Sequence, residues 1–188
     1  MSAVLLSLLL STGDVPAATA ATGPQAAVDC VVAAWNAYDA DAARQCYAEK
    51  PVARNAHGVV PIDWAFERGL RSFDRVARSR FRAEVRQAEG EAVEYRLHET
   101  NDFLTALGLD GVSALWRYTV REGRVEEEEL LDADASFRSR LRKFTEWGRT
   151  AKPAGWESVV DSEGIVRFDG ETAPRLIALA KEWRGSTP

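Results

Sequence analysis

Histidine, cysteine and methionine are nearly missing from this chain, whose 188 residues hold two, two and one of them. His57 and His98 lie far apart with no cysteine cluster beside them. A zinc site needs three or four such ligands gathered at one point, so no metal is expected. The Gly-Lys-Ser/Thr phosphate loop, the Gly-x-Gly-x-x-Gly nucleotide turn and the Gly-x-Ser-x-Gly nucleophile elbow do not occur in the sequence. Their absence removes the commonest nucleotide and serine-hydrolase chemistries and leaves no cofactor to expect. Cationic excess is also lacking: the formal charge is −5 and the isoelectric point about 5.2, which gives a nucleic acid nothing to neutralise its phosphates. The nearly continuous apolar stretch at residues 3–10 is far short of the roughly 20 residues that span a bilayer, so no stable membrane insertion is expected.

What is present is an ordinary globular composition, 46% apolar and 28% charged, in a chain long enough for one domain with a sizeable core. The apolar stretch at 3–10 is followed by small residues ending in Ala18, Thr19 and Ala20. This reads as a signal peptide over 1–20 and a secreted or periplasmic protein, although no Lys or Arg precedes the apolar run. In such a compartment Cys30 and Cys46 are a disulfide candidate. Two small buried thiols are the competing reading, since geometry and not sequence decides.

Apolar residues at Ala27, Val28, Val31, Ala34, Trp35 and Tyr38 recur at helical spacing and predict a first helix over 25–38. Asp39 is placed to cap a second helix over 40–48. A short strand is expected between Pro51 and Gly58, then a third helix over 62–76. Its Glu67–Arg71 and Asp74–Arg78 spacings, and the seven arginines between Arg68 and Arg86, read as a solvated face. The period then changes to two. Strands are expected from Phe81 and through Val93, Tyr95 and Leu97, turning at Glu89 and Gly90, with a helical turn near Phe103 and a long hairpin over 112–132 turning at Glu122 and Gly123. A two-residue loop there pairs Val120 with Val125, Tyr118 with Glu127, Arg117 with Glu128 and Trp116 with Glu129. The last fifty residues predict a helix through Phe137 and Trp147, a strand over 165–168 and a helix ending near Trp183. Trp147, Trp156 and Trp183 are read as packing residues.

The phrases Ala34-Trp35-Asn36, Asp39 and Cys46-Tyr47-Ala48, with the hairpin Tyr118 to Val125 turning at Gly123-Arg124-Val125, resemble the nuclear transport factor 2-like (SnoaL-like) superfamily. The resemblance covers about residues 25–134. It implies an α+β fold: a cone-shaped, curved antiparallel sheet packed against N-terminal helices and enclosing a pocket. The domain is expected over 21–134, with a C-terminal helical extension at 135–188 packed on it. Members include isomerases, dehydratases, cyclases and epoxide hydrolases as well as proteins without catalysis, so fold alone does not decide function.

On the expected register Glu127 and Glu129 share a largely apolar face with Trp116 and Tyr118, and alternation adds Glu99 beside Tyr95. Desolvated carboxyls of this kind are raised in pKa and can act as general acids or bases. Glu99 and Glu127 are therefore the catalytic candidates. Trp35, Tyr38, Trp64, Tyr95, Trp116, Tyr118 and Glu129 are the candidate ligand-binding residues, with Tyr118 as a hydrogen-bond donor to a small, mainly apolar molecule. The competing function is a non-catalytic, homodimeric assembly or stress-associated binding module. Its interface would be the outer sheet face, with Arg117, Glu126 and Glu128 at the rim.

Overall fold

The computed structural model describes residues 23–55 and 58–186. The expected signal peptide over 1–20 and His57 lie outside them.

Helix α1 (Pro24–Asn36) turns Ala27, Val28, Val31 and Ala34 inward. Asp39 caps the short α2 (Ala40–Gln45) by accepting from the amides of Asp41 and Ala42. That helix stops three residues before the expected end, because Tyr47 already opens strand β1 (Tyr47–Asn55). Cys30 on α1 and Cys46 between α2 and β1 form a disulfide, with Cα atoms 5.9 Å apart. Pro51 interrupts β1 where its register with the neighbouring strand shifts. A residue with no N–H fits such a break in the ladder.

Strand β2 (Gly58–Pro61) pairs back on β1, and Asp63 then caps α3 (Trp64–Ala77). The remaining strands are β3 (Arg80–Glu89), β4 (Ala92–Thr100), β5 (Val112–Arg121) and β6 (Arg124–Ala133), with the short α4 (Asp102–Ala106) between β4 and β5. Sheet order is β2-β1-β6-β5-β4-β3. The sheet is open, and it is mixed where a wholly antiparallel one was expected: β1 lies along the free edge of β6 and runs parallel to it. Its inner face presents Val93, Tyr95 and Leu97 from β4, Tyr118 and Val120 from β5, and Val125 from β6 to Val28, Val31 and Val32 of α1.

The β5–β6 hairpin turns at Glu122 (φ 50°) and Gly123 (φ 73°), as a tight two-residue loop requires. Val120 pairs with Val125 as expected. The next pair is Thr119 with Glu127, so Glu126 is an extra residue on β6 and the partners that follow move by one: Tyr118 faces Glu128, Arg117 faces Glu129 and Trp116 faces Leu130, before a second shift sets Leu115 against Asp132. The expected register would have placed both Glu127 and Glu129 against Trp116 and Tyr118. The bulge turns one carboxyl inward, Glu128, and leaves the other two facing arginines, an arrangement that costs less desolvation.

The C-terminal segment forms α5 (Ala135–Ala151), α6 (Pro153–Glu157) and α7 (Ala173–Ser186). The strand expected at 165–168 is reduced to a single bridge, Val160 with Val166. These helices build a second core in which Phe144, Trp156, Leu176 and Trp183 meet Phe73 and Ala77 of α3, Phe103 of α4 and Leu107 just after it. Helix α3 thus stands between two cores, with the sheet's inner face on one side and the C-terminal helices on the other.

Candidate functional site

Between α1, β2, α3 and the inner face of the sheet lies a cavity of about 490 Å³, within the range of small-molecule sites. Its walls are mainly apolar: Trp35 from α1, Ile62, Phe66 and Leu70 from the α3 region, Phe81 from β3, Leu97 from β4, and Val112, Ala114 and Trp116 from β5. Five ionisable side chains interrupt them, namely Asp63 after β2, Glu67 and Arg71 from α3, Glu99 from the end of β4, and Glu128 from β6.

Arg71 is 4% exposed. Its guanidinium packs over the rings of Trp35 (5.0 Å) and Phe81 (5.5 Å) and pairs with Asp74 (3.0 Å) and, more distantly, Glu67 (3.8 Å). The Asp74 contact has ion-pair distance but not hydrogen-bond alignment, since Nη1 and Oδ2 both lack a hydrogen-bond partner. Burial raises the carboxyls of Glu67 and Asp74, with Arg71 opposing in each case.

Glu128 accepts a hydrogen bond from the Tyr47 hydroxyl at 2.7 Å. Burial pushes its carboxyl up to about 7, against the lowering effect of that bond, so it exchanges a proton near neutral pH. Tyr47 is held well above the ordinary phenol value, by burial first and then by the Glu128 charge. Glu99 is also raised, by burial and then by Asp74. Its Oε1 meets Asn101 Nδ2 at 2.6 Å and Ser79 Oγ at 3.0 Å. The same Asn101 caps α4 by accepting from the Leu104 amide, which fixes the side chain that holds Glu99.

Of the residues expected at a site, Glu99, Trp35 and Trp116 line the cavity. Glu127 and Glu129 do not. The β6 bulge turns them to the outer face, where Glu127 pairs with Arg54 and Glu129 with Arg117. Glu128, expected at the rim of an outer interface, is the inward carboxyl instead, while Arg117 and Glu126 do lie outside, Glu126 paired with Arg121. Tyr38 has φ 57° and points away from the cavity, donating to the Ser79 carbonyl at 2.9 Å and meeting the Arg80 guanidinium. Trp64 packs edge-on against Tyr47. Tyr95 and Tyr118 are core residues under α1. Tyr95 donates to Asp29, and Tyr118 is fully buried, stands outside the residues that line the cavity, and has no partner for its hydroxyl. His98 is on the exposed face beside Ser113.

Sequence reasoning missed Arg71, Glu67, Asp74, Ser79, Asn101 and Glu128. A signal existed for three of them. Glu67, Arg71 and Asp74 stand at i, i+4 and i+7, one stripe over from Leu70 and Phe73, so the charges border the apolar face and do not oppose it.

No protein-family model matches the sequence, and no curated protein does. Solved structures are similar in fold at low identity. One is an uncharacterised cystatin-fold protein from Novosphingobium aromaticivorans, with 16% identity, a TM-score of 0.45, and 60% of this chain and 100% of that one covered. A second is an NTF2-like protein of unknown function from Cytophaga hutchinsonii, with 13% identity, a TM-score of 0.44 and coverages of 64% and 98%. A third is SalBIII, an epoxide hydrolase/cyclase-like enzyme with a role in pyran ring formation in the polyether salinomycin, at 17%, 0.46, 60% and 92%. By its own element order, two helices, a strand pair, a third helix and four long antiparallel strands flanking an open pocket, this chain has the fold of the nuclear transport factor 2-like proteins.

Proposed function

We propose that the chain binds a small, mainly apolar molecule in the cavity beside α3 and moves protons to or from it through Glu99 and Glu128, in an isomerase, dehydratase or cyclase type of reaction. The supporting observation is the placement of these two carboxyls in a cavity walled by Trp35, Phe81, Leu97 and Trp116. Apolar walls confer affinity through burial, and they also raise carboxyl pKa values toward neutrality, where proton transfer in both directions is efficient. Nucleophilic chemistry finds no support at the site, because both cysteines are in the disulfide and Ser79 is wholly buried.

Binding is tested with 2-naphthol, a compact apolar ring system with one hydroxyl, followed through tryptophan fluorescence because Trp35 and Trp116 line the wall. Saturable quenching is expected, and Ala114→Trp, which fills the cavity from β5, removes it. Quenching that survives Ala114→Trp, or is absent from both proteins, refutes the pocket. Proton transfer is tested on molecules that co-purify from the native host. Glu99→Gln and Glu128→Gln are expected to retain 2-naphthol and to lose conversion, whereas conversion that persists in both variants assigns the chemistry elsewhere.

A further inference from the structure

Behind Glu99 lies a hydrogen-bond arrangement that does not close with every carboxyl ionised. Ser79 Oγ is 2.8 Å from Asp74 Oδ1 and 3.0 Å from Glu99 Oε1. A serine hydroxyl has one proton to donate and two lone pairs to accept with. It serves one of these carboxylates, and the other oxygen then faces a lone pair unless it carries a proton itself. Asn101 Nδ2, 3.2 Å from the same Oγ, already occupies an acceptor position. Asp74 is 2% exposed and Ser79 is fully buried, so bulk water does not rescue the mismatch.

The charge count agrees. The charged groups bearing on Glu99 are Asp74 and Arg71, both from α3. Tyr38 and the exposed Arg80 reach the backbone carbonyl of Ser79 and not its hydroxyl, and Arg78, the left-handed cap of α3, turns outward to Asp102. The buried cation is shared still further, because Glu67 stands 3.8 Å from the same guanidinium, and two anions as close as Asp74 and Glu99 do not both stay ionised on one partly shared positive charge. The position of Ser79 is imposed by the fold. Its amide donates to the Asp74 carbonyl while the Arg78 amide donates to that of Arg75, which is the Schellman pattern that ends a helix. The cap delivers the Ser79 hydroxyl to both carboxyls.

We infer that Asp74 and Glu99 hold one proton between them through Ser79 Oγ, with Asp74 ionised against Arg71 and Glu99 presenting a neutral carboxylic acid to the cavity. Asp74 accepts from Ser79, and Ser79 accepts from Glu99, in one chain of donors. Arg71 stands nearer Asp74, which settles the proton on the partner. This assigns Glu99 as the proton donor of the pair of cavity carboxyls and makes Asp74 and Ser79 positioning residues that set its protonation. It deepens the proposed function, yet its test reads a carboxyl group and not a ligand, so either can fail while the other stands.

The test is ¹³C NMR of the full chain labelled at the glutamate side-chain carboxyl carbon, with the Glu99 resonance identified by its loss in Glu99→Gln. At pH 7 it is expected at the chemical shift of a protonated acid. Asp74→Asn removes the competing negative charge and leaves Arg71 as the charge bearing on Glu99, so the resonance moves toward the ionised position, a change that loss of packing alone does not produce. Should Asp74→Asn fail to fold, the unmodified protein decides the question. A Glu99 resonance at the ionised position at pH 7, or one titrating in the ordinary carboxylate range, overturns the inference.

Discussion

Glu128 and Glu127 are neighbours in sequence with opposite surroundings. Burial raises Glu128 from 4.5 to about 7, whereas Glu127 lies outside with Arg54. Below pH 4.5 the Glu128 carboxyl is protonated in both folded and unfolded chains, and above about 7 it is ionised in both. Between these values the folded protein holds a proton that the unfolded chain has lost, so stability falls as pH rises through this window and levels off beyond it. The side chain keeps some contact with solvent through the cavity, and the loss is therefore at most on the order of 3 kcal/mol. Urea denaturation at pH 4.5 and 8 is expected to show a steeper decline for the unmodified protein than for Glu128→Gln, which cannot ionise. Parallel declines would place Glu128 in water. Glu127→Gln is expected to change stability by less than about 1 kcal/mol, as befits an exposed ion pair.

Among the helices, α5 carries a glycine where its own stability argues against one. Gly148 lies in the last turn of α5, where alanine would ordinarily be favoured by about 1 kcal/mol. A Cβ there would meet the Trp156 ring at 2.2 Å, so the indole packs directly on the helix backbone. Gly148→Ala is expected to destabilise by about 1 to 3 kcal/mol, the cost of overpacking outweighing helix propensity, and a rise in melting temperature would show that Trp156 moves aside freely. The same contrast between local and tertiary control describes what the sequence made legible. Periodicity located α1, α3, the β3–β4 pair and the β5–β6 turn, because each writes its buried stripe at regular spacing. It did not locate the β6 bulge. Four consecutive glutamates, Glu126 to Glu129, offer no apolar alternation to mark which one faces inward, and the choice follows from arginines on β1 and β5. Half of the site was hidden for that reason. Arg71 was misread because an arginine on an amphipathic helix is ordinarily solvated; its burial depends on Trp35, Phe81 and Asp74, which no local pattern brings together.

At the scale of the molecule, the boundary at Asp134 that the family resemblance suggested divides the sequence but not the packing. Phe73 is 3% exposed, Phe103 2% and Leu107 not at all, and all three owe this to a core shared with α5–α7. Gly170 passes so close to α3 that a Cβ on it would meet Ser72 Oγ at 2.2 Å. Each large apolar side chain returned to water costs about 1.5 to 3 kcal/mol, and the net stability of a domain is only about 5 to 15 kcal/mol. A chain ending at Asp134 is therefore expected to show no cooperative thermal transition by circular dichroism and to lose 2-naphthol binding. The loss of binding follows from the same helix. Glu67, Leu70 and Arg71 form the cavity wall on one side of α3, and Phe73 and Ala77 anchor its other side in the C-terminal core. A truncated chain that melts cooperatively and still binds the probe would show that the sheet and α1 position α3 unaided. Under the packing described here they do not, and the extension is as much a part of the cavity's construction as the strands that line it.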